Sequence, residues 1–237
     1  LTRVFAGPYG ASILGDFGAD VLKIEMPGNG DDARGYGPYE HGESVYYANL
    51  NRNKRGITLN LKSEKGKEIF LKLVGDADIL LENYRPGVME RLGLGYETLH
   101  QINPKLIYGA ISGFGSYGPY SQRPGYDIIS QGMGGLMSIT GEKGGKPTRS
   151  GNAMGDILGG LNLVIGVLAA VNARNITGLG QKVDVSLVDS VVASLENAYI
   201  RYFESRELPV RNGNAYASIA PYDTYKAKDE YVIIGCG

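Results

Sequence analysis

Along this chain, short runs with the apolar–polar rhythm of strands alternate with longer segments of helical spacing. Ile57 to Leu61 alternates as a half-buried strand does, and Val21–Glu25, Asp78–Glu82, Leu106–Ser112 and Lys182–Ser186 are further runs of strand type. Val4 to Pro8 reads as the end of a strand running into a turn. The helical segments are Tyr9–Phe17, Glu64–Val74, Ile128–Met137, Ile157–Ala173 and Asp189–Ser205. Val192, Leu195, Tyr199 and Tyr202 supply an apolar stripe on the last of these. Strands separated by helices imply parallel β-α-β units, so the expected class is α/β, with ligands gathering at the carboxyl ends of the strands. Around Leu208-Pro209 the pattern changes, and Tyr231–Gly235 is again β-like. The expected organisation is a large α/β domain over residues 1–206, then a linker and the start of a smaller α+β domain over 207–237.

Composition sharpens this picture at a few points. Glycine accounts for 36 of 237 residues, so many places require a tight turn or a close approach of backbones. Lys plus Arg is 24 and Asp plus Glu is 25; at a net charge of −1 there is no general attraction to nucleic acid or to anionic membrane, and any anion site must be local. The single Cys236 cannot form an internal disulfide, which fits a reducing cytoplasm. Only His41 and His100 are present, which poorly supplies histidine triads and metal sites. The first residue is Leu1 and the last strand-like run stops at Gly237, and both ends suggest a piece of a longer chain. Ile157–Ala173 is uncharged but only 17 residues long, and it carries Gly159, Gly160, Asn162, Gly166 and Asn172. That suits a helix buried in protein better than one spanning lipid.

The candidate chemistry lies at the mouth of that apolar run. Ser150-Gly151-Asn152-Ala153-Met154-Gly155-Asp156 sets a lone carboxylate after a glycine-rich turn. At a helix N-terminus, unpaired N–H groups and the helix dipole favour the anion, as a nucleophile or base requires; a plain Asp cap has the same residue type. Arg52, Lys54, Arg55, Lys62, Arg85 and Arg91 fall at or just beyond strand ends, either as an anion site or as a solvated basic surface. The start of the chain has the order of a dinucleotide fold. Its glycines, Gly7, Gly10, Gly15 and Gly18, do not fit G-x-G-x-x-G, and Pro8 removes an N–H from the turn that would hold a pyrophosphate, which argues against NAD.

Taken in order, Arg3-Val4-Phe5-Ala6-Gly7-Pro8, Gly18-Ala19-Asp20-Val21-Leu22-Lys23-Ile24-Glu25, Asn53-Lys54-Arg55, Glu82-Asn83-Tyr84-Arg85-Pro86-Gly87, Ser112-Gly113-Phe114-Gly115 and Gly155-Asp156 resemble the class III coenzyme A transferases. That family includes formyl-CoA and carnitine-CoA transferases and is related to α-methylacyl-CoA racemase. The resemblance implies a Rossmann-like large domain, an interlocked homodimer, and movement of coenzyme A from an acyl-CoA to a free carboxylic acid. Asp156 would be the nucleophile, passing through an aspartyl anhydride and an aspartyl-CoA thioester. Coenzyme A contacts fall on Ala6, Leu59, Lys62, Asn83, Tyr84, Arg85 and Arg91, with Tyr126 near the thioester. Lys62, Arg85 or Arg91 would hold the phosphates. No metal and no tightly bound cofactor is expected, coenzyme A thioester being the substrate, and neither nucleic acid nor membrane is an expected partner. Phe5 stands where formyl-CoA transferase has glutamine, which sets an expectation against formate and oxalate. The racemase branch has a histidine where Tyr126 stands here, and an ordinary tyrosine near pKa ~10 is a poor proton carrier, so transfer is favoured. A non-catalytic acyl-CoA-binding fragment is the other alternative.

Overall fold

A computed structural model describes residues 1–237. The centre is a parallel sheet in the order β5 (Ile79–Glu82), β6 (Ile107–Ser112), β7 (Lys182–Ser186). Alternate residues of β6 serve opposite faces. Tyr108 and Ala110 join a core with Phe70 and Val74 of α3 (Glu64–Asp76), Met89 of α4 (Val88–Arg91) and Leu99 of α5 (Tyr96–Ile102). Ile107 and Ile111 join a second core with Leu14 of α1 (Ala6–Asp16) and Leu163, Val164 and Val167 of α8 (Met154–Thr177). A strand covered on both sides has to be apolar throughout, and β6 is buried over its first five residues.

A second parallel pair, β1 (Val21–Glu25) with β4 (Lys54–Thr58), lies beyond β5. The two sheets are not hydrogen-bonded to each other. A groove of about 540 Å³, lined mostly by apolar side chains, separates β1 from β5. Residues 1–3 bridge it: the Leu1 amine donates to the Leu81 carbonyl at 2.9 Å, Lys23 Nζ donates to the Thr2 carbonyl at 2.8 Å, and the Arg3 N–H donates to Asn83 Oδ1 at 2.8 Å. This bridge delivers Val4, Phe5 and Ala6 to the carboxyl ends of the strands.

Several expected boundaries move. No strand forms at Val4–Pro8; α1 begins at Ala6, because Pro8 falls in its first turn, where a missing N–H costs nothing. The strand expected over Ile57–Leu61 is β4, Lys54–Thr58, which pairs in register with Val21–Glu25. Ile128–Met137 is two helices, α6 (Asp127–Met133) and α7 (Leu136–Ile139), split where Gly135 takes φ +91°. The segment Asp189–Ser205 divides at Glu196 (φ +53°) into α9 (Leu187–Ala193) and α10 (Asn197–Ser205). Helix α2 (Val45–Leu50), with Ser44 as its cap, and the small hairpin β2 (Tyr39–Glu40) and β3 (Glu43–Ser44) had no strong periodic signal. The chain closes with an antiparallel pair, β8 (Tyr222–Lys226) and β9 (Tyr231–Gly235).

Helix α8 is long and apolar enough by composition to cross a membrane. Here it packs along α1, β6, β7 and α9. Its glycines explain the fit. A Cβ on Gly160 would lie 2.8 Å from the Ala6 carbonyl oxygen, and one on Gly159 would lie 2.5 Å from a Leu187 methyl.

Candidate active site

Two helices start at the same place. The close passage of α1 and α8 at Gly10 and Gly160 sets both N-termini at the carboxyl ends of the strands. The start of α1 is held by a strained residue: Val4 has φ +64°, a conformation unfavourable for a β-branched side chain. Asp31 Oδ1 accepts the Val4 N–H at 2.9 Å and the Ala33 N–H at 2.9 Å, while Oδ2 pairs with Lys23 at 2.7 Å. Both partners of that ion pair are almost wholly buried. Glu25 supports the same turn. Burial pushes its carboxyl up, but hydrogen bonds from Arg34, Tyr47 and the Asp31 N–H outweigh this and hold it down at about 2.

Asp156 lies in the first turn of α8, two residues inside its start, so it is not the cap. Ala153 occupies the cap position and has no side chain to serve there. Asp156 is half-buried, and burial, with the nearby Asp127 charge second, pushes its carboxyl up to about 7. The helix start favours the anion, while the loss of water around the group and the Asp127 charge act against it. Tyr46 of α2 belongs to the same environment. Its phenol is pushed up to about 12 by burial and then by the Asp156 charge. Its ring is 6.2 Å from that of Phe5 and 5.8 Å from that of Tyr36.

A cavity of about 150 Å³ opens at Asp156 and is also lined by Ala6, Asn83, Tyr84, Arg85 and Tyr126. Six of the nine residues singled out in the sequence therefore meet in one place. Tyr126 is 72% exposed at the rim. Leu59, Lys62 and Arg91 lie outside this cavity: Leu59 packs against the first core, and Lys62 and Arg91 are exposed. A polar cavity of about 300 Å³ adjoins the first, sharing Tyr84, Arg85, Pro86 and Ser112 with it.

The basic cluster mostly resolves into structural ties. Arg52 pairs with Asp16, and Arg55 pairs with Asp20 at 2.7 Å. Lys54 Nζ donates to the Pro8 and Leu50 carbonyls and to Asn51 Oδ1, and burial, with the Lys23 charge second, lowers it to about 7. These three residues sit at the start of β4 and its preceding turn, the opposite end from the one expected to face a ligand. Of the six basic residues, Arg85 alone lines the cavity at Asp156. Arg3 and Arg123 also line it and were not among the expected site residues. Asp127, Tyr46 and Tyr36 were likewise missed: no motif marks them, and only the packing of separate elements brings them to Asp156.

In this α/β protein a half-buried carboxylate at the crossing of two helix starts thus faces a cleft with three arginines at its walls. A model of CoA-transferase family III matches residues 1–237, and the chain belongs to that family. Acetyl-CoA:oxalate CoA-transferase of Acetobacter aceti is 47% identical over 238 residues, covering 100% of this chain and 61% of that protein. Human succinyl-CoA:glutarate CoA-transferase is 44% identical, over 100% of this chain and 54% of that protein. Among solved structures, a CAIB/BAIF family protein from Brucella suis matches with TM-score 0.92 and 44% identity, over 100% of this chain and 64% of its own. The chain thus spans little more than half the length of these relatives. The likeness bears out the mixed α/β fold with parallel sheets.

Proposed function

We propose that the protein carrying this chain moves coenzyme A from an acyl-CoA donor to a dicarboxylic acid, with Asp156 as the nucleophile. The observation that carries this reading is the position of Asp156: a carboxylate with its proton equilibrium near neutrality, opening into a cleft that also holds Arg85. The names of two relatives, which specify oxalate and glutarate, support a dicarboxylate acceptor. They also outweigh the expectation against oxalate, which rested on Phe5 alone.

In the proposed sequence, an oxygen of the ionised Asp156 attacks the thioester carbon, the C–S bond breaks, and CoA leaves as its thiolate. The thiolate then attacks the Asp156 carbonyl carbon of the anhydride, releasing the donor acid and leaving an aspartyl-CoA thioester. An acceptor carboxylate attacks that thioester, expelling the thiolate again. The thiolate finally takes the acceptor's acyl carbon, and the Asp156 carboxylate returns unchanged. N–H groups at the start of α1 have no helical partners and suit each developing oxyanion. Tyr84 and Arg85 line both adjoining cavities, and with Asn83 at the first of them they suit an extended coenzyme A, Arg85 supplying a positive charge to both. Leu59, Lys62 and Arg91 are proposed to meet its outer part.

The reading includes a homodimer. An exposed apolar stripe on α8, formed by Leu161, Ile165, Leu168 and Ile176, supports it. Asp156→Ala should reduce transfer from acetyl- or succinyl-CoA to oxalate or glutarate by at least ~10³-fold while acyl-CoA binding survives. Transfer persisting in that variant would remove Asp156 as the nucleophile.

A further inference from the structure

Helix α8 is capped by a residue from another helix. Asp127, the first residue of α6, presents Oδ1 to the N–H of Gly155 at 2.8 Å and to the N–H of Asp156 at 3.4 Å. Its Oδ2 accepts from Gln131 Nε2 at 2.9 Å. Gln131 is completely buried, and its own Oε1 accepts the Ser150 N–H at 2.8 Å while Nε2 also reaches the Asn152 carbonyl at 3.2 Å. One pair of side chains thereby holds both the glycine-rich approach to α8 and the first turn that carries Asp156. Gly155 makes the contact possible, since a Cβ there would lie 2.0 Å from Ser130 Oγ and 3.2 Å from Asp127 Oδ1.

We propose that Asp127, braced by Gln131, is a positioning residue: it fixes the backbone of Gly155 and Asp156 so that the Asp156 carboxylate meets the acyl carbon. The inference rests on the nucleophile reading above. Two carboxylates at one helix start repel, and the Asp127 charge makes Asp156 harder to ionise. The charged and titratable groups around Asp156 are few. Tyr9 comes from α1, Tyr46 from α2, Asp127 from α6 with Tyr126 just before it, Tyr36 from the cleft wall, and Asp189 is the one titratable residue of α9. Arg3, Arg85, Arg123 and Asp32 stand around the cleft. Among these, Asp127 is the one whose charge acts appreciably on Asp156.

Transfer kinetics of Asp127→Ala, Asp127→Asn and Asp156→Ala in the protein carrying this chain test it. Asp127→Ala should lower kcat on the order of 10- to 100-fold with KM for acyl-CoA held within about 3-fold, because the nucleophile and not the coenzyme A site is disturbed. Asp127→Asn should recover about 5-fold or more over the alanine variant, since its amide oxygen still accepts the two N–H groups though it loses the bond from Gln131. With the charge gone, its acid limb in kcat/KM should move to lower pH. Wild-type kcat in Asp127→Ala, no recovery in Asp127→Asn, or an unmoved acid limb overturns the inference. If Asp127→Ala does not fold, the limb of Asp127→Asn decides alone. An inactive Asp156→Ala beside unaffected Asp127 variants sinks only this inference, whereas an active Asp156→Ala sinks the nucleophile reading first.

Discussion

At the scale of single residues, the site depends on groups held away from their ordinary protonation. In the proposed transfer Asp156 acts only as the anion, and burial pushes its carboxyl up to about 7. Protonation therefore removes the nucleophile as pH falls through that value. The kcat/KM of transfer should rise with pH between about 6 and 8, with a midpoint near 7, whereas an unperturbed aspartate would leave that range flat. A pH profile on a donor that does not itself titrate there checks this. The buried Lys23–Asp31 pair makes a different demand. It fixes the strained turn at Val4, so Lys23→Met would strand a buried Asp31 charge and should cost about 3–5 kcal/mol in chemical denaturation. Asp156 was legible in the sequence as a carboxylate before an uncharged run, which a plain cap would also explain, and the ordered family motifs marked it as the candidate nucleophile. Asp127 was not, because its partners are backbone N–H groups 28 and 29 residues away.

At the scale of elements, the active geometry depends on α1 and α8 touching backbone to backbone. Gly160→Ala would drive a methyl to 2.8 Å from the Ala6 carbonyl and 2.9 Å from the Tyr9 ring, and neither neighbour is a free side-chain end. It should destabilise by about 1–3 kcal/mol and reduce transfer, while Gly151→Ala, with nothing within 4 Å, should stay within about 0.5 kcal/mol of the parent. Denaturant melts of the two variants, run beside the transfer assay, separate these outcomes. The central strands and α3 could be read from the sequence because strand alternation and helical spacing there coincide with burial. Helices α6 and α7, and α9 and α10, read as continuous, since their breaks lie in left-handed backbone at Gly135 and at Glu196, and Glu196 carries no local turn signal. The basic residues at the start of β4 and in the turn before it were read as either an anion site or a solvated surface. Neither reading foresaw that Asp16, Asp20 and three main-chain or amide oxygens already answer them.

At the scale of the whole molecule, a three-layer α/β body leaves one face of its longest helix without a cover: Ile165 is 65% and Ile176 is 82% exposed. If a second copy covers that stripe, Ile165→Glu should shift the protein from dimer toward monomer in light scattering, and an unchanged mass would place the interface elsewhere. The proposed transfer turns on a covalent bond at one atom of Asp156. Mixing the protein with acyl-CoA without acceptor, quenching in acid and measuring intact mass should show the addition of coenzyme A, mapped to the peptide that carries Asp156 and missing from Asp156→Ala. Steady transfer with no adduct at Asp156, or with an adduct on another side chain, would contradict it.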